Sequence, residues 1–449
     1  MKRLFGTDGM RGEAGRFPLD AATVRVAGRS LARHLAERLG RAPRVVTGRD
    51  TRESGAWIEE AFLEGALAGG AAEAVSAGVI TTPGVAYLAR TLPADAGVVI
   101  SASHNPYHDN GIKIFAPTGR KLDDATERLI ESDIYAEFEE ETAAAPAEFD
   151  ESRSEGNRKG ADEPGTRTVE LRALYLDYLS GEVASGLSLE GLTVVTDCAN
   201  GAASELAPAL LTRLGARVVS TFDAPDGRNI NRDCGSLHTD VLRARVVEES
   251  AHLGVAYDGD ATLWALAQRM QERGELEADR VVATVMSNIG LELALRTRGI
   301  ELLRTDVGDK YVLEELLRTG STLGGEQSGH IIFPRLSLAG DGMLTTVNLL
   351  RAVVESGRTL EDLTEGFRRY PQVLVNVRVR ERVPFEEVGE VARASREVRE
   401  RLGEGGRLLL RYSGTEPLAR VMIEGQSQSE IDALAEGLAS VICRSLGED

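Results

Sequence analysis

Val98-Val99-Ile100-Ser101-Ala102-Ser103-His104-Asn105-Pro106, running on to Asp109-Asn110-Gly111-Ile112-Lys113, is the stretch on which the reading of this chain turns. A short β-branched run predicts a buried strand, and it ends abruptly in small and polar residues. That pattern delivers Ser103 to the exposed end of a strand, with a histidine, an amide and a lysine close by. A serine in such a place can carry a phosphoryl group. His104 and Lys113 can supply charge or move protons, and Pro106 stiffens the loop. Taken alone, the same residues fit a polar turn after a core strand equally well.

Outward from this stretch, strand-like and helical segments alternate. Residues 44–47 and 97–100 are predicted strands, and 21–39 and 56–67 predicted helices. Such alternation argues an α/β layer structure. From 139 to 166 the composition shifts to Glu, Ala, Pro, Gly, Ser and Arg with almost no large apolar residues. A segment of that kind buries too little surface to offset its ordering entropy and is expected to be a flexible acidic linker. A second α/β unit is expected over 167–260, with strands at 192–196 and 254–257. A third is expected over 261–368, with a strand at 281–285 and a helix around Leu291. A smaller α+β unit is expected over 369–449, with strands at 374–379, 408–411 and 421–424 and a helix at 385–402.

The length of 449 residues exceeds one ordinary core, so two to four domains are expected. Hydrophobic content of 42% and charged content of 27% are those of a soluble globular protein. No window approaches the roughly 18 apolar residues of a membrane span. With Met1 to Gly6 leading straight into a polar, glycine-rich run, no signal peptide is expected, and Cys198, Cys234 and Cys443 lack metal-ligand spacing. A reduced, cytoplasmic location is the expectation. With 52 basic and 71 acidic side chains the net charge is −19, which disfavours nucleic acid as a partner. An anionic ligand must therefore find a local basic pocket.

Several groups have the chemistry for one. Asp258-Gly259-Asp260 follows a strand and offers two carboxylates around a glycine, suited to Mg²⁺ or to an ordinary Asp-Gly turn. The helix expected after it places Leu263, Leu266, Ala267 and Met270 on one face. Glu326, Ser328 and His330 lie in a loop whose flanking glycines permit close approach of a ligand. Arg411, Ser413, Gly414 and Thr415 form a candidate anion cradle, with Arg420 on the next strand. Arg49 and Arg52 fit basic groups of such a site or surface salt-bridge partners equally well, with Arg49 slightly favoured for the site. Asn231 and Cys234 read as architectural, with Cys234 a small buried hydrophobe.

Four stretches together resemble the α-D-phosphohexomutase superfamily: Phe5 to Gly12, the Ser103 segment, Gly325-Glu326-Gln327-Ser328-Gly329-His330, and Arg411-Tyr412-Ser413-Gly414-Thr415-Glu416-Pro417. They stand in family order from one end of the chain to the other. The resemblance implies three tandem α/β domains with mixed sheets and a smaller C-terminal α+β domain, heart-shaped around a central cleft. It implies that Ser103 is phosphorylated, that Arg11, His104 and Lys113 assist transfer, and that Ser103, Asp258 and Asp260 hold one Mg²⁺. Glu326, Ser328 and His330 would recognise the sugar, and Arg411, Ser413, Gly414, Thr415 and Arg420 its non-reacting phosphate. Gln327 is the form typical of family members acting on amino sugars. The implied reaction interconverts glucosamine 6-phosphate and glucosamine 1-phosphate through a sugar bisphosphate, by a monomer or homodimer with no nucleic acid or membrane partner. The family's metal loop continues with a third aspartate and an arginine where this chain has Thr262 and Leu263, and a strand-turn-strand segment expected next is missing. That departure leaves open a sugar-phosphate-binding homologue without turnover, beside a phosphomannomutase or phosphoglucomutase on the same fold.

Overall fold

β-Branched runs capped by polar turns, separated by amphipathic stretches, build the elements in the order the sequence suggests. The computed structural model describes residues 3–6, 9–144, 165–236, 238–255, 259–413 and 416–447. The first layer contains β1 (Phe5–Gly6), β2 (Gly9–Glu13), α1 (Ala21–Leu39), β3 (Arg44–Arg49), α2 (Gly55–Ala68) and β4 (Glu73–Val79). It continues with α3 (Thr82–Thr91), β5 (Ala96–Ile100), β6 (Asp109–Phe115) and α4 (Asp124–Ala144). Its six strands run in the order β1-β2-β6-β5-β3-β4. β3 is parallel to both β4 and β5, whereas β6 is antiparallel to β5 and β2. Side chains of α1, α2 and α4 close one core with Val45, Val98, Ile100, Ile112 and Ile114. The α1–α2 crossing is tight because of glycine: a Cβ on Gly28 would lie 2.2 Å from the Phe62 carbonyl oxygen, and one on Gly65 2.1 Å from that of Arg25. Neither position has space for a side chain.

The next layer comprises α5 (Thr166–Asp177), β7 (Thr193–Asp197), α6 (Leu206–Arg213), β8 (Arg217–Thr221), α7 (Asp240–Glu248) and β9 (Leu253–Val255). β7 lies between β8 and β9 in a parallel sheet. α8 (Gly259–Glu272), β10 (Arg280–Thr284), α9 (Ile289–Thr297), β11 (Glu301–Thr305), α10 (Asp309–Thr319) and β12 (Gly324–Gly325) follow. Here β10 pairs in parallel with β11 and β12. After β13 (Ile331–Ile332), α11 (Gly342–Ser356) and α12 (Leu360–Thr364) come β14 (Gln372–Arg378), α13 (Gly389–Leu402), β15 (Arg407–Tyr412), β16 (Leu418–Glu424) and α14 (Gln428–Leu446). β16 runs antiparallel between β14 and β15, and Val391, Val398, Ile431, Leu438 and Ile442 of α13 and α14 pack with the buried side chains of that sheet.

Two compact units result: Met1–Tyr257 with His330–Leu360, and Asp258–Gly329 with Glu361–Asp449. The third stretch expected from sequence, 261–368, is thus divided, with β13 and α11 belonging to the first unit. Two local expectations shift. α4 extends to Ala144, so the first residues assigned to the acidic linker are helical, and positions 145–164 lie outside the described residues. α13 begins at Gly389 rather than 385. Phe385 is instead anchored before the helix, its ring stacked 4.3 Å from that of Tyr412. β9 covers Leu253–Val255, and the remaining positions of the strand expected to reach Tyr257 lie outside the described residues.

Candidate active site

The Ser103 loop leaves β5 at Ile100, a strand buried along its whole length. Ser103 and His104 are exposed, and His104 Nδ1 lies 3.5 Å from Ser103 Oγ. Ser103 has φ +55°, the left-handed region that a non-glycine residue enters at a cost of about 1–3 kcal/mol unless its surroundings hold it there. Those surroundings are built from the end of the neighbouring parallel strand. Asp50, just past β3, accepts from the Ser101 hydroxyl (2.6 Å), the Arg52 backbone N–H (3.0 Å) and the Arg52 guanidinium (2.5 Å). Of the two readings that the sequence leaves open for Arg52, the surface salt bridge is excluded. Its side chain is 0% exposed, and its other donors reach the carbonyls of Asp109, Ser103 and Asn105. Burial lowers its pKa, with the negative charge of Asp50 opposing.

Two cations flank the loop on the sheet. Arg11 of β2 stands opposite Gly111 of β6, and Lys113 follows two residues on, so all three share one face. A Cβ on Gly111 would meet the Ser101 carbonyl oxygen at 2.8 Å and Arg11 Cγ at 3.0 Å, so glycine lets these strands approach under the loop. From the second layer, Asn231 donates through Nδ2 to the carbonyls of Ser103 (2.8 Å) and Asn105 (3.2 Å). Arg49 pairs with Glu59, as the salt-bridge reading has it. Cys198 and Cys234 are buried, and burial pushes both thiols up to about 11, which suits small packed groups rather than nucleophiles.

In the second unit, β15 and β16 place Arg411 directly opposite Arg420. Like charges across a strand pair repel, and an anion between them would remove the penalty. Burial and the Arg420 charge lower the Arg411 pKa, with Asp306 opposing. Arg420 Nη2 donates to the buried Ser413 hydroxyl at 3.3 Å, while its Nε is buried with no hydrogen-bond partner among the described residues. Gly414 and Thr415 lie outside the described residues. Glu326 accepts from the Gly308 backbone N–H at 3.0 Å, and Ser328 and His330 are exposed. Gly329 takes φ +94° to turn that loop.

Asp260 behaves differently. It sits in the first turn of α8, 6% exposed, and its Oδ2 accepts the backbone N–H of Asn288, the N-cap of α9, at 2.8 Å. Asp258 lies outside the described residues, and among the described residues no three His, Cys, Asp or Glu side chains converge as a metal-binding group. Mg²⁺ needs open carboxylate oxygens in near-octahedral array. Asp260 gives one oxygen to a helix start, and its part in holding Mg²⁺ stays what the family resemblance implies.

Asp50, Arg52 and Asn231 have places in the serine loop that sequence reasoning missed. One signal was present: Asp50-Thr51-Arg52 directly follows a predicted strand, and ligand-binding groups gather beyond the carboxyl ends of parallel strands.

Comparison with known proteins shows the family to which the chain belongs. Models of the phosphoglucomutase/phosphomannomutase family match in order: α/β/α domain I over residues 2–141, domain II over 173–269, domain III over 258–370 and the C-terminal domain over 374–441. The solved structure of a phosphoglucomutase/phosphomannomutase family protein from Burkholderia thailandensis is similar at TM-score 0.75 and 20% identity, covering 99% of this chain and 97% of that one. An N-acetylphosphoglucosamine mutase from Aspergillus fumigatus, solved with GlcNAc-6P and magnesium, is similar at TM-score 0.60 and 18% identity, covering 98% and 96%. The fold and the four domain matches define an α-D-phosphohexomutase. Full-length similarity narrows this further: a phosphoglucosamine mutase of Solibacter usitatus is 47% identical over the whole of both chains, and one of Koribacter versatilis is 44% identical over 100% and 98%. The chain belongs to the phosphoglucosamine mutases of that family. The Solibacter alignment spans 464 positions against 449 residues here, and the domain II and III matches overlap over 258–269.

Proposed function

We propose that this protein interconverts glucosamine 6-phosphate and glucosamine 1-phosphate by passing a phosphoryl group to and from Ser103. The observation that carries the reading is the exposed Ser103, set in a left-handed turn at the end of a buried strand with both neighbouring backbone groups held from below. In the first half-reaction the bond between phosphorus and Ser103 Oγ breaks and Oγ takes up a proton from a nearby acid. A new bond forms to the free sugar hydroxyl, whose proton passes to a nearby base, and a bisphosphorylated sugar results. In the second, the other phosphoryl returns to Ser103 Oγ and the departing sugar oxygen regains a proton. His104 and Lys113 are the candidates for that proton, and Arg11 with Lys113 for charge on the moving group. Electrostatic stabilisation and positioning supply most of the catalysis in phosphoryl transfer.

Arg411 and Arg420 with Ser413 would hold the phosphate that does not react, and Glu326, Ser328 and His330 the sugar. Gln327 favours the amino sugar over glucose or mannose phosphates. Free cysteines and the lack, among the described residues, of any helix able to cross a membrane agree with a cytoplasmic enzyme. The test is a coupled assay on glucosamine 6-phosphate with Mg²⁺ and a sugar bisphosphate primer. Turnover that needs Ser103, and that exceeds turnover of mannose and glucose phosphates, supports the reading. No turnover of any hexosamine phosphate by folded protein overturns it.

A further inference from the structure

The Ser103 loop is gripped from beneath by groups that never touch Ser103 Oγ. The Asp50–Arg52 ion pair reaches both backbone groups of Ser103. Asp50 Oδ2 accepts from the Ser101 hydroxyl (2.6 Å), whose oxygen accepts the Ser103 N–H (3.1 Å). Arg52 Nη2 donates to the Ser103 carbonyl (3.2 Å) and to that of Asn105 (2.6 Å), and its Nε donates to the Asp109 carbonyl at the far end of the loop (2.8 Å). Asn231 Nδ2 donates to the same two carbonyls, Ser103 and Asn105. Two donors from different layers thus converge on one pair of acceptors.

Asn231 is itself fixed. It has φ +60°, and its backbone N–H donates to the carbonyl of Ala199, another residue in the left-handed region, at 2.9 Å. Thr51, between Asp50 and Arg52, donates its hydroxyl to the Asn200 carbonyl at 2.5 Å. Left-handed non-glycine residues gather on both sides of this junction: Ser103, Ala199, Asn200 and Asn231. Strained conformations persist where the surroundings over-determine them, and they cluster at sites that must be pre-organised.

We propose that Arg52 and Asn231 are positioning residues for phosphoryl transfer. By jointly holding the Ser103 and Asn105 carbonyls they keep Ser103 left-handed and its Oγ aimed outward. They set the rate of transfer without contributing to substrate binding. The proposal rests on the mutase reading given above. A misplacement of about 1 Å at a reacting atom costs about 10²-fold in rate. Asn231→Ala removes two donors and leaves no buried charge, and Arg52→Lys keeps the charge opposite Asp50 while losing the guanidinium fork.

The experiment uses the full-length protein, primed with glucose 1,6-bisphosphate, in wild-type, Asn231→Ala, Asn231→Asp, Arg52→Lys and Arg52→Lys/Asn231→Ala forms. Steady-state kinetics and amide hydrogen exchange over residues 101–105 are measured for each. Expected is a fall in kcat of about ten- to a hundredfold in each single variant, with KM within about twofold. The double variant loses less than the product of the two, since both act on the same carbonyls. Asn231→Asp, the same shape without a donor, falls at least as far as Asn231→Ala, and exchange at the Asn105 amide accelerates. Folded Asn231→Ala and Arg52→Lys proteins with wild-type kcat overturn the inference and leave the mutase reading standing. So do losses that appear in KM alone, or an Asn231→Asp variant with wild-type kcat. A wild-type protein with no mutase turnover overturns the reading and the rate claim with it. Exchange then decides separately whether these side chains hold the loop.

Discussion

Ser103 and Asp260 stand at comparable places in sequence, each in a polar loop after a short apolar strand, yet the fold treats them in opposite ways. Around Ser103 the backbone is satisfied by other side chains: Ser101, Arg52 and Asn231 meet its amide and carbonyl. Its hydroxyl is left in solvent, close to His104. Asp260 is turned inward, and its carboxylate meets a backbone N–H at the start of α9. Buried backbone groups require partners. A polar side chain at a strand end is therefore available to a ligand only where something else supplies those partners.

The strongest way to break this contrast is substitution of Ser103 itself. Ser103→Ala is expected to lower turnover of glucosamine 6-phosphate by about 10³-fold or more while thermal unfolding stays where it was. Residual turnover within tenfold of wild type would take the serine out of the reaction. Arg52→Ala is expected to act on the fold as well as on the rate. It leaves Asp50 as a buried, unpaired carboxylate, and removing one partner of such a pair costs about 3–5 kcal/mol. A thermal unfolding scan that matches wild type would mean the pair is relaxed into water.

Asp260→Ala sharpens the comparison from the other side. It deprives the Asn288 N–H of its acceptor, at a cost of about 1–3 kcal/mol. Mg²⁺ affinity by titration calorimetry should change less than about twofold. A large loss of Mg²⁺ binding with unchanged stability would assign Asp260 to the metal site.

The smallest expected effect concerns Asp341, which shows what a buried carboxylate does when it meets helix N–H groups rather than an arginine. Asp341 caps α11 by accepting from Met343 and Leu344, and it also accepts from the Tyr175 hydroxyl. Burial raises its pKa above the ordinary carboxylate value, against those hydrogen bonds. The folded state therefore holds its proton more tightly than the unfolded chain. Stability from this group is fully present below the unfolded carboxylate pKa, about 3.9, and is lost as pH rises toward the raised folded value. Asp341→Asn should flatten that part of the stability–pH curve, as read from unfolding midpoints between pH 4 and pH 7 on an approximate grid of half-units. A curve as steep as wild type would assign the slope to other groups.

Much of the architecture was legible because it follows from local pattern. The α1 span and the cores of β3, β5, β10 and β14 emerge from apolar periodicity, and the α8 face of Leu263, Leu266, Ala267 and Met270 is buried as its spacing predicts. The Ser103 loop was legible for the same reason, since strand, turn and chemistry are contiguous. Arg52 was not. Charged residues near strand ends are usually solvated, and nothing in its neighbours announces that β5 and β6 will enclose it. The start of α13 was misjudged because Phe385 suits a helix face by spacing but is claimed by the Tyr412 ring across the domain.

The sequence by itself determined the layered α/β plan, and it offered the serine loop, the basic groups of the C-terminal hairpin and the altered metal loop as candidates. Each of these depends on residues close together in the chain, or on motifs whose order survives folding. Only the tertiary structure decided which polar groups remain open to a ligand and which satisfy the backbone. It buried Arg52 against Asp50, brought Asn231 from 128 residues away to the Ser103 carbonyl, and turned Asp260 into the start of a helix. The physical reason is that desolvation and hydrogen-bond satisfaction depend on what packs around a group, and that is set by contacts far apart in sequence.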